Sequence, residues 1–214
     1  EVKPARRALH RVGKRRDSIL FVGRVVPNKK FEDLWRVFQH YTGHCRPGAK
    51  LILVGKFRPT DNYFVYLRSL MTGTAFKNVF FAGQAKQSEM IAYYRRAGVF
   101  LSMSEHEGFG LPLLEAMYLG VPVLAYGAAA VPETMGGAGV LFTKKDYPAI
   151  AEMAARLVED TSLRRAVTEG QKRRIEKFLS VPTSDTLRDL LAPWLDEEPG
   201  TRSRIRQKLS PCRQ

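Results

Sequence analysis

Short apolar runs alternate with amphipathic stretches from about residue 18 to residue 195. The runs are SILFVG (18–23), LILVG (51–55), VFFAG (79–83), VFLSMS (99–104), VPVLAY (121–126) and VLF (140–142). They are β-branched and aromatic, with too few alternating polar residues to face water on one side. Such strands belong to a sheet buried on both faces. Between them, Phe31, Leu34, Trp35, Phe38 and Tyr41 recur at three-to-four spacing and predict a helix with one apolar stripe. Residues 62–71 behave similarly, and Ser88 is placed to cap a helix running through Ile91 and Tyr94. Three further helices are predicted over 147–159, 162–178 and 184–195. This alternation indicates an α/β fold: a doubly wound, mostly parallel sheet with helices on both faces.

The ends of the predicted strands carry the polar chemistry. The first three runs end in Gly23-Arg24, Gly55-Lys56 and Gly83-Gln84, and the fourth leads into Glu105-His106-Glu107. Ligands of open parallel sheets bind beyond the carboxyl ends of the strands, where glycine permits close backbone approach. Pro112 suits the first turn of a helix that Gly120 ends. Glu115 is then expected in the first turn, with Glu107 in the loop leading in. Gly108 and Gly110 leave backbone N–H groups beside a helix start, a site for anions and hydroxyls. Glu115 has two readings: it complements the helix end, or it accepts hydrogen bonds from a vicinal diol such as a ribose. A glycosidase pair of Glu107 and Glu115 leaves the neighbouring cations without a role. Those cations are Arg24 and Lys29, in a loop stiffened by Pro27, and they are suited to clamping a diphosphate.

Composition narrows the setting. The chain has 214 residues and a formal net charge of +14. Residues 1–16 and 201–214 together carry +11 of that charge, so the basicity describes the ends. Two readings of the ends stay open, solvated tails and contact with anionic lipid head groups. Nucleic acid is disfavoured, since no recognition motif accompanies the charge. The first 17 residues have no apolar core and do not read as a signal peptide, and no apolar run is long enough to span a membrane. Cys45 and Cys212 have neither metal nor disulfide spacing, so a reducing, cytoplasmic setting is expected. Four scattered histidines and no ligand cluster predict no metal site. The expected domains are a basic segment over 1–17, one domain over 18–195 and a disordered basic tail over 196–214.

The stretches FVGRVVPNKKFEDL, LILVG, VFFAG, SEHEGFGLPLLEAMYLGVPVLAYGAAAVPE and GAGVLF, in that order, resemble the donor-binding half of family 4 glycosyltransferases. Glu107 and Glu115 match that family's E-x7-E pattern, and the likeness runs from about Ser18 to about Phe178. The resemblance implies a GT-B enzyme and identifies this chain with its C-terminal, Rossmann-like domain. It implies retaining, metal-independent transfer of a hexose from a GDP- or UDP-sugar, with a lean towards mannose, to a polysaccharide or glycolipid acceptor.

By that resemblance, Arg24 and Lys29 with Gly23 hold the diphosphate and Glu115 holds the ribose. Glu107 with the backbone of Phe109, Gly110 and Leu111 orients the sugar, and the base lies near Gly83, Gln84 and Ala85. Lys30 stands where many members have glycine, and His106 reads as a loop residue. An N-terminal acceptor domain is implied but not contained in this sequence, so little transfer is expected from the chain alone. The expected location is cytoplasmic, with peripheral contact at the cytoplasmic face of a membrane left open. Alternatives are a GT-B relative, such as a sugar-nucleotide epimerase or phosphorylase, and a non-catalytic nucleotide-sugar-binding module.

Overall fold

A computed structural model of the chain describes residues 16–180. Six parallel strands form one sheet: β1 (Ile19–Val22), β2 (Leu51–Val54), β3 (Val79–Gly83), β4 (Val99–Ser102), β5 (Val123–Tyr126) and β6 (Val140–Phe142). The order across the sheet is β3-β2-β1-β4-β5-β6. All six strands predicted from apolar patterning are present, and the sheet is wholly rather than mostly parallel. Every residue of β2 and β4 is buried, as strands covered on both faces require.

The connecting helices are α1 (Phe31–His40), α2 (Asn62–Leu70), α3 (Gln87–Arg96), α4 (Leu111–Tyr118), α5 (Val131–Met135), α6 (Tyr147–Glu159) and α7 (Thr161–Leu179). The stripe of α1 is fully used: Phe31, Leu34, Trp35 and Phe38 are buried, and Phe31 meets Phe21 of β1 edge-on at 5.1 Å. Glu32 and Asp33 stand in its first turn, the favourable end of the helix dipole for acids. Tyr41 falls in a following π turn (Tyr41–Cys45), buried, with its hydroxyl donating to the Asp17 carbonyl at 2.9 Å.

Two local expectations need correction. Lys86, not Ser88, caps α3, because Glu89 reaches back to accept from the Lys86 amide at 3.0 Å. Helix α4 begins at Leu111 with Pro112 second, so Glu115 is its fifth residue and lies beyond the first turn. The predicted helix over 184–195, the basic tail and residues 1–15 of the basic N-terminal segment lie outside the described residues. The chain divides into two compact units at Ile175/Glu176, and the second is described only through Ser180.

Candidate functional site

The strand order reverses between β1 and β4, which makes the crevice beyond their carboxyl ends the topological switch point of the sheet. Two loops meet there. The first follows β1 and carries Arg24 and a 3-10 turn, Pro27–Lys29. The second follows β4 and carries Glu105, His106 and Glu107. Their backbones are joined by the Glu105 amide donating to the Asn28 carbonyl at 2.9 Å.

Side chains tighten the junction. Lys29 Nζ stands 2.6 Å from Glu107 Oε1 and donates to the His106 carbonyl at 3.2 Å. Both members of the ion pair are about 15% exposed, so the attraction is less screened than at an open surface. Asn28 Nδ2 donates to the same His106 carbonyl at 3.3 Å. The functional part of His106 here is its backbone, while its side chain is exposed, in keeping with a loop residue.

A chain of charges supports the two loops from behind. Glu105 accepts from Lys145 at 2.7 Å and pairs with Lys30 at 3.1 Å. Lys145 also reaches the buried Asp33 of α1 at 2.7 Å, and the Tyr147 hydroxyl donates to Asp33 at 2.9 Å. Hydrogen bonds from Lys145 and then Lys30 hold the Glu105 carboxyl below its ordinary range. Burial works against the charge on Lys145, yet bonds to Asp33 and Glu105 outweigh it and raise that ammonium. None of Asp33, Lys145 and Tyr147 was singled out from sequence, because they come together only when α6 packs on α1.

Lys30 has φ 51° and ψ 55°, the left-handed conformation that costs a side-chain-bearing residue about 1–2 kcal/mol. Its carbonyl accepts from the amides of Asp33 and Leu34 and so starts α1. The geometry explains why glycine is the ordinary choice at such a turn. In this chain the lysine adds an ion pair to Glu105 instead.

The second acid, Glu115, sits on α4 and is half-buried. The hydroxyl of buried Tyr94 donates to Glu115 Oε2 at 2.8 Å and lies 3.3 Å from the Pro112 carbonyl. Burial first, and then the Glu115 carboxylate, push the Tyr94 hydroxyl well above its ordinary range, so it remains a donor. One carboxylate oxygen of Glu115 thereby accepts a hydrogen bond within the fold.

Gly110 caps α4 in the left-handed conformation (φ 75°), and its carbonyl accepts from the Leu113 amide at 2.9 Å. Pro112 has no N–H to offer. The helix start therefore presents fewer donors than its glycines suggested from sequence. Phe109 and Leu111 are exposed at this mouth, and the Phe109 carbonyl is fixed by Thr134 Oγ1 at 2.5 Å.

Gly23 and Gly55 stand one residue beyond β1 and β2, and their backbones touch. A Cβ on Gly55 would lie 1.8 Å from the Gly23 carbonyl oxygen, so this glycine serves the packing of two neighbouring loops. Gly83 closes β3 with φ 69°, and its carbonyl accepts from the Gly55 amide at 2.9 Å. Exposed Gln84 and half-buried Ala85 follow. Strand β2 stands between β3 and β1, so Gly83, Gln84 and Ala85 lie about 10 Å along the sheet edge from the β1 loop. The structure does not bring them into contact with Lys29 or Glu107. Arg24 is likewise separate from that pair: it lines a cavity of about 560 Å³ with Val25, Val26, Lys56, Phe57, Arg58 and Asp61.

Among the described residues no three of His, Cys, Asp and Glu are placed to hold a metal ion. No described helix is long and apolar enough to cross a membrane. Burial and the nearby Glu152 and Glu159 raise the Cys45 thiol, which is unpaired.

A 3-2-1-4-5-6 parallel sheet with charged loops converging on its switch point defines a Rossmann-like α/β domain with a ligand crevice. The chain belongs to the glycosyl transferases group 1 family, whose model matches residues 2–174. The O-antigen chain mannosyltransferase B of Escherichia coli is 31% identical over 159 residues, covering 74% of this chain and 41% of that protein. A GDP-mannose-dependent monoacylated alpha-(1-6)-phosphatidylinositol monomannoside mannosyltransferase of Corynebacterium glutamicum is 30% identical over 161 residues, covering 72% and 41%. The chain thus spans about two fifths of the length of these curated relatives. Among solved structures, a sucrose-phosphate synthase from Thermosynechococcus elongatus superposes with a TM-score of 0.71 at 24% identity, covering 89% of this chain and 50% of that one. HepE from Anabaena, in complex with UDP and glucose, gives 0.71 at 20% identity, covering 90% and 54%. The likeness to these two structures establishes the GT-B type of Rossmann-like fold.

Proposed function

We propose that this chain is the nucleotide-sugar-binding domain of a retaining, metal-independent family 4 hexosyltransferase that builds a polysaccharide or glycolipid. The observation that carries the reading is the meeting of Lys29 with Glu107 at the switch point. That contact puts a phosphate-binding cation beside an acid able to hold sugar hydroxyls. Arg24 and Lys29 take the diphosphate, Glu115 Oε1 accepts from the ribose, and Glu107 with the 109–111 backbone orients the sugar. Gly83, Gln84 and Ala85 are the place for the base, further along the sheet edge.

Departure of the diphosphate builds negative charge that fixed cations stabilise without reorganising. One such preorganised donor is worth roughly 3 kcal/mol, or on the order of 10²-fold in rate. The reading therefore needs no metal. A GDP-linked mannose is the favoured donor, supported by relatives whose names specify mannosyl transfer and, in one case, GDP-mannose. Transfer itself requires an acceptor-binding partner domain, and the work is placed at the cytoplasmic face of a membrane.

Calorimetric titration of UDP, GDP and ADP into the chain, beside Arg24→Ala and Glu115→Ala, tests this. One nucleotide should bind, and each substitution should weaken it about tenfold, the loss of a charge-assisted hydrogen bond. Binding unaffected by both substitutions would remove the site from this crevice.

A further inference from the structure

Lys29 is held by Glu107, but three other cations stand on the loops after β1 and β2. Arg24 follows β1, while Lys56 and Arg58 follow β2, and the three line the same cavity of about 560 Å³. None of the three makes an ion pair with a described residue. The one acid in the cavity wall, Asp61, accepts from the Arg58 backbone amide at 3.2 Å as a turn-forming group.

The loop that carries Lys56 and Arg58 is anchored at its centre. Phe57, between them, stacks on Phe64 of α2 at 4.4 Å and meets Phe81 of β3 edge-on at 5.8 Å. The Val25 amide donates to the Lys56 carbonyl at 3.2 Å and joins this loop to the one bearing Arg24. Three like charges thus line one cavity on loops joined by an anchored aromatic and a backbone bond, an arrangement complementary to a multiply charged anion.

We infer that Arg24, Lys56 and Arg58 form a phosphoryl-anion subsite in the cavity beyond β1 and β2. This rests on the nucleotide-sugar reading and deepens it. The diphosphate is gripped by cations from two adjacent strand ends, with Lys29 joining only when it leaves Glu107. The shared chemistry is a multiply charged phosphoryl group, supplied by the donor's diphosphate or by a phosphorylated acceptor.

The test is a Lys56→Met/Arg58→Met double variant, with both side chains exposed so that the fold should survive. A denaturation midpoint within error of the wild type verifies that. Calorimetry would measure UDP, GDP, ADP and inorganic pyrophosphate against both proteins, at two salt concentrations. The expected result is a loss of about tenfold or more in affinity for the bound nucleotide and for pyrophosphate, with a shallower salt dependence. Weaker pyrophosphate with unchanged nucleotide supports the subsite and assigns its anion to another substrate. Unchanged binding of both overturns the inference, while Arg24→Ala still weakening the nucleotide would leave the donor reading standing. Should the wild type bind none of the three nucleotides, the donor reading falls; pyrophosphate binding then decides the subsite, and its absence overturns that too.

Discussion

The Lys29 ammonium stands 2.6 Å from the Glu107 carboxylate, an ion pair between the loop after β1 and the loop after β4. A diphosphate bound at Lys29, as proposed, would compete with an internal anion. The same carboxylate, once released, is free to accept from sugar hydroxyls. In the proposed reading, binding of the phosphates and engagement of the sugar are coupled through this one contact.

Glu107→Gln tests that coupling. Removing the competing charge should tighten binding of the sugar-free nucleoside diphosphate about three- to tenfold, the worth of a partly buried pair of this kind. The corresponding nucleotide-sugar should gain nothing, because its hydroxyls lose a charged acceptor. Isothermal titration of both ligands into both proteins measures the difference.

Lys30 combines a strained backbone with an ion pair to Glu105. Lys30→Gly relieves about 1–2 kcal/mol of left-handed strain. It adds about 0.4–1 kcal/mol of unfolded-chain entropy and loses an exposed pair worth about 0.5 kcal/mol. The net change should therefore fall between about 0.5 kcal/mol against the variant and about 1 kcal/mol in its favour. Lys30→Val, β-branched at the same φ, should destabilise by more than about 1 kcal/mol. Urea denaturation midpoints of the three proteins decide it.

Gly55 and Gly83 both end strands, but only Gly55 lacks room. Gly55→Ala sets a Cβ 1.8 Å from the Gly23 carbonyl and should prevent folding or cost several kcal/mol. A Cβ on Gly83 meets nothing within 4 Å, so Gly83→Ala should cost only the left-handed penalty of about 1–2 kcal/mol. Soluble yield and thermal midpoint should rank the variants accordingly.

The Glu105 carboxyl titrates below its ordinary value of 4.5 because Lys145 and Lys30 bond its charged form. Its contribution is complete above about pH 4.5 and is lost as pH falls through the lowered value. Glu105→Gln should flatten the stability profile on the acid side of pH 4.5. The difference should be below about 0.5 kcal/mol, since the side chain is 45% exposed. Denaturant midpoints at pH 3 to 6 would register it.

Tyr94 shows how the candidate site escaped a reading of the chain by itself. Its apolar neighbours predicted a helix position, and it is indeed buried on α3. Its hydroxyl, however, orients Glu115 from 21 positions away. Asn28 is similar, since its partner carbonyl at His106 is 78 positions distant. Arg24, Lys29, Glu107 and Glu115 were recognisable because each lies on a loop or helix that follows a strand visible as pattern. Lys56 was visible in the same way, as the polar residue after Gly55. Arg58 and Asp61 carried no signal of their own.

The amino-acid sequence by itself determined the six strands, their alternation with helices, and the polar residues that follow the first four, although β3 and β6 are less covered than their apolar runs suggested. Those properties are local: period, β-branching and turn chemistry act within a few residues. Only the tertiary structure decided the order β3-β2-β1-β4-β5-β6, which sets the loops after β1 and β4 side by side at the switch point. It also decided that Lys29 meets Glu107, that Lys145 bridges Glu105 to Asp33, and that Arg24 shares a cavity with Lys56 and Arg58. The reason is that strand order is set by how apolar faces from distant segments pack together, a choice no short stretch encodes. Charges attached to the strand ends then meet whichever neighbours that packing supplies.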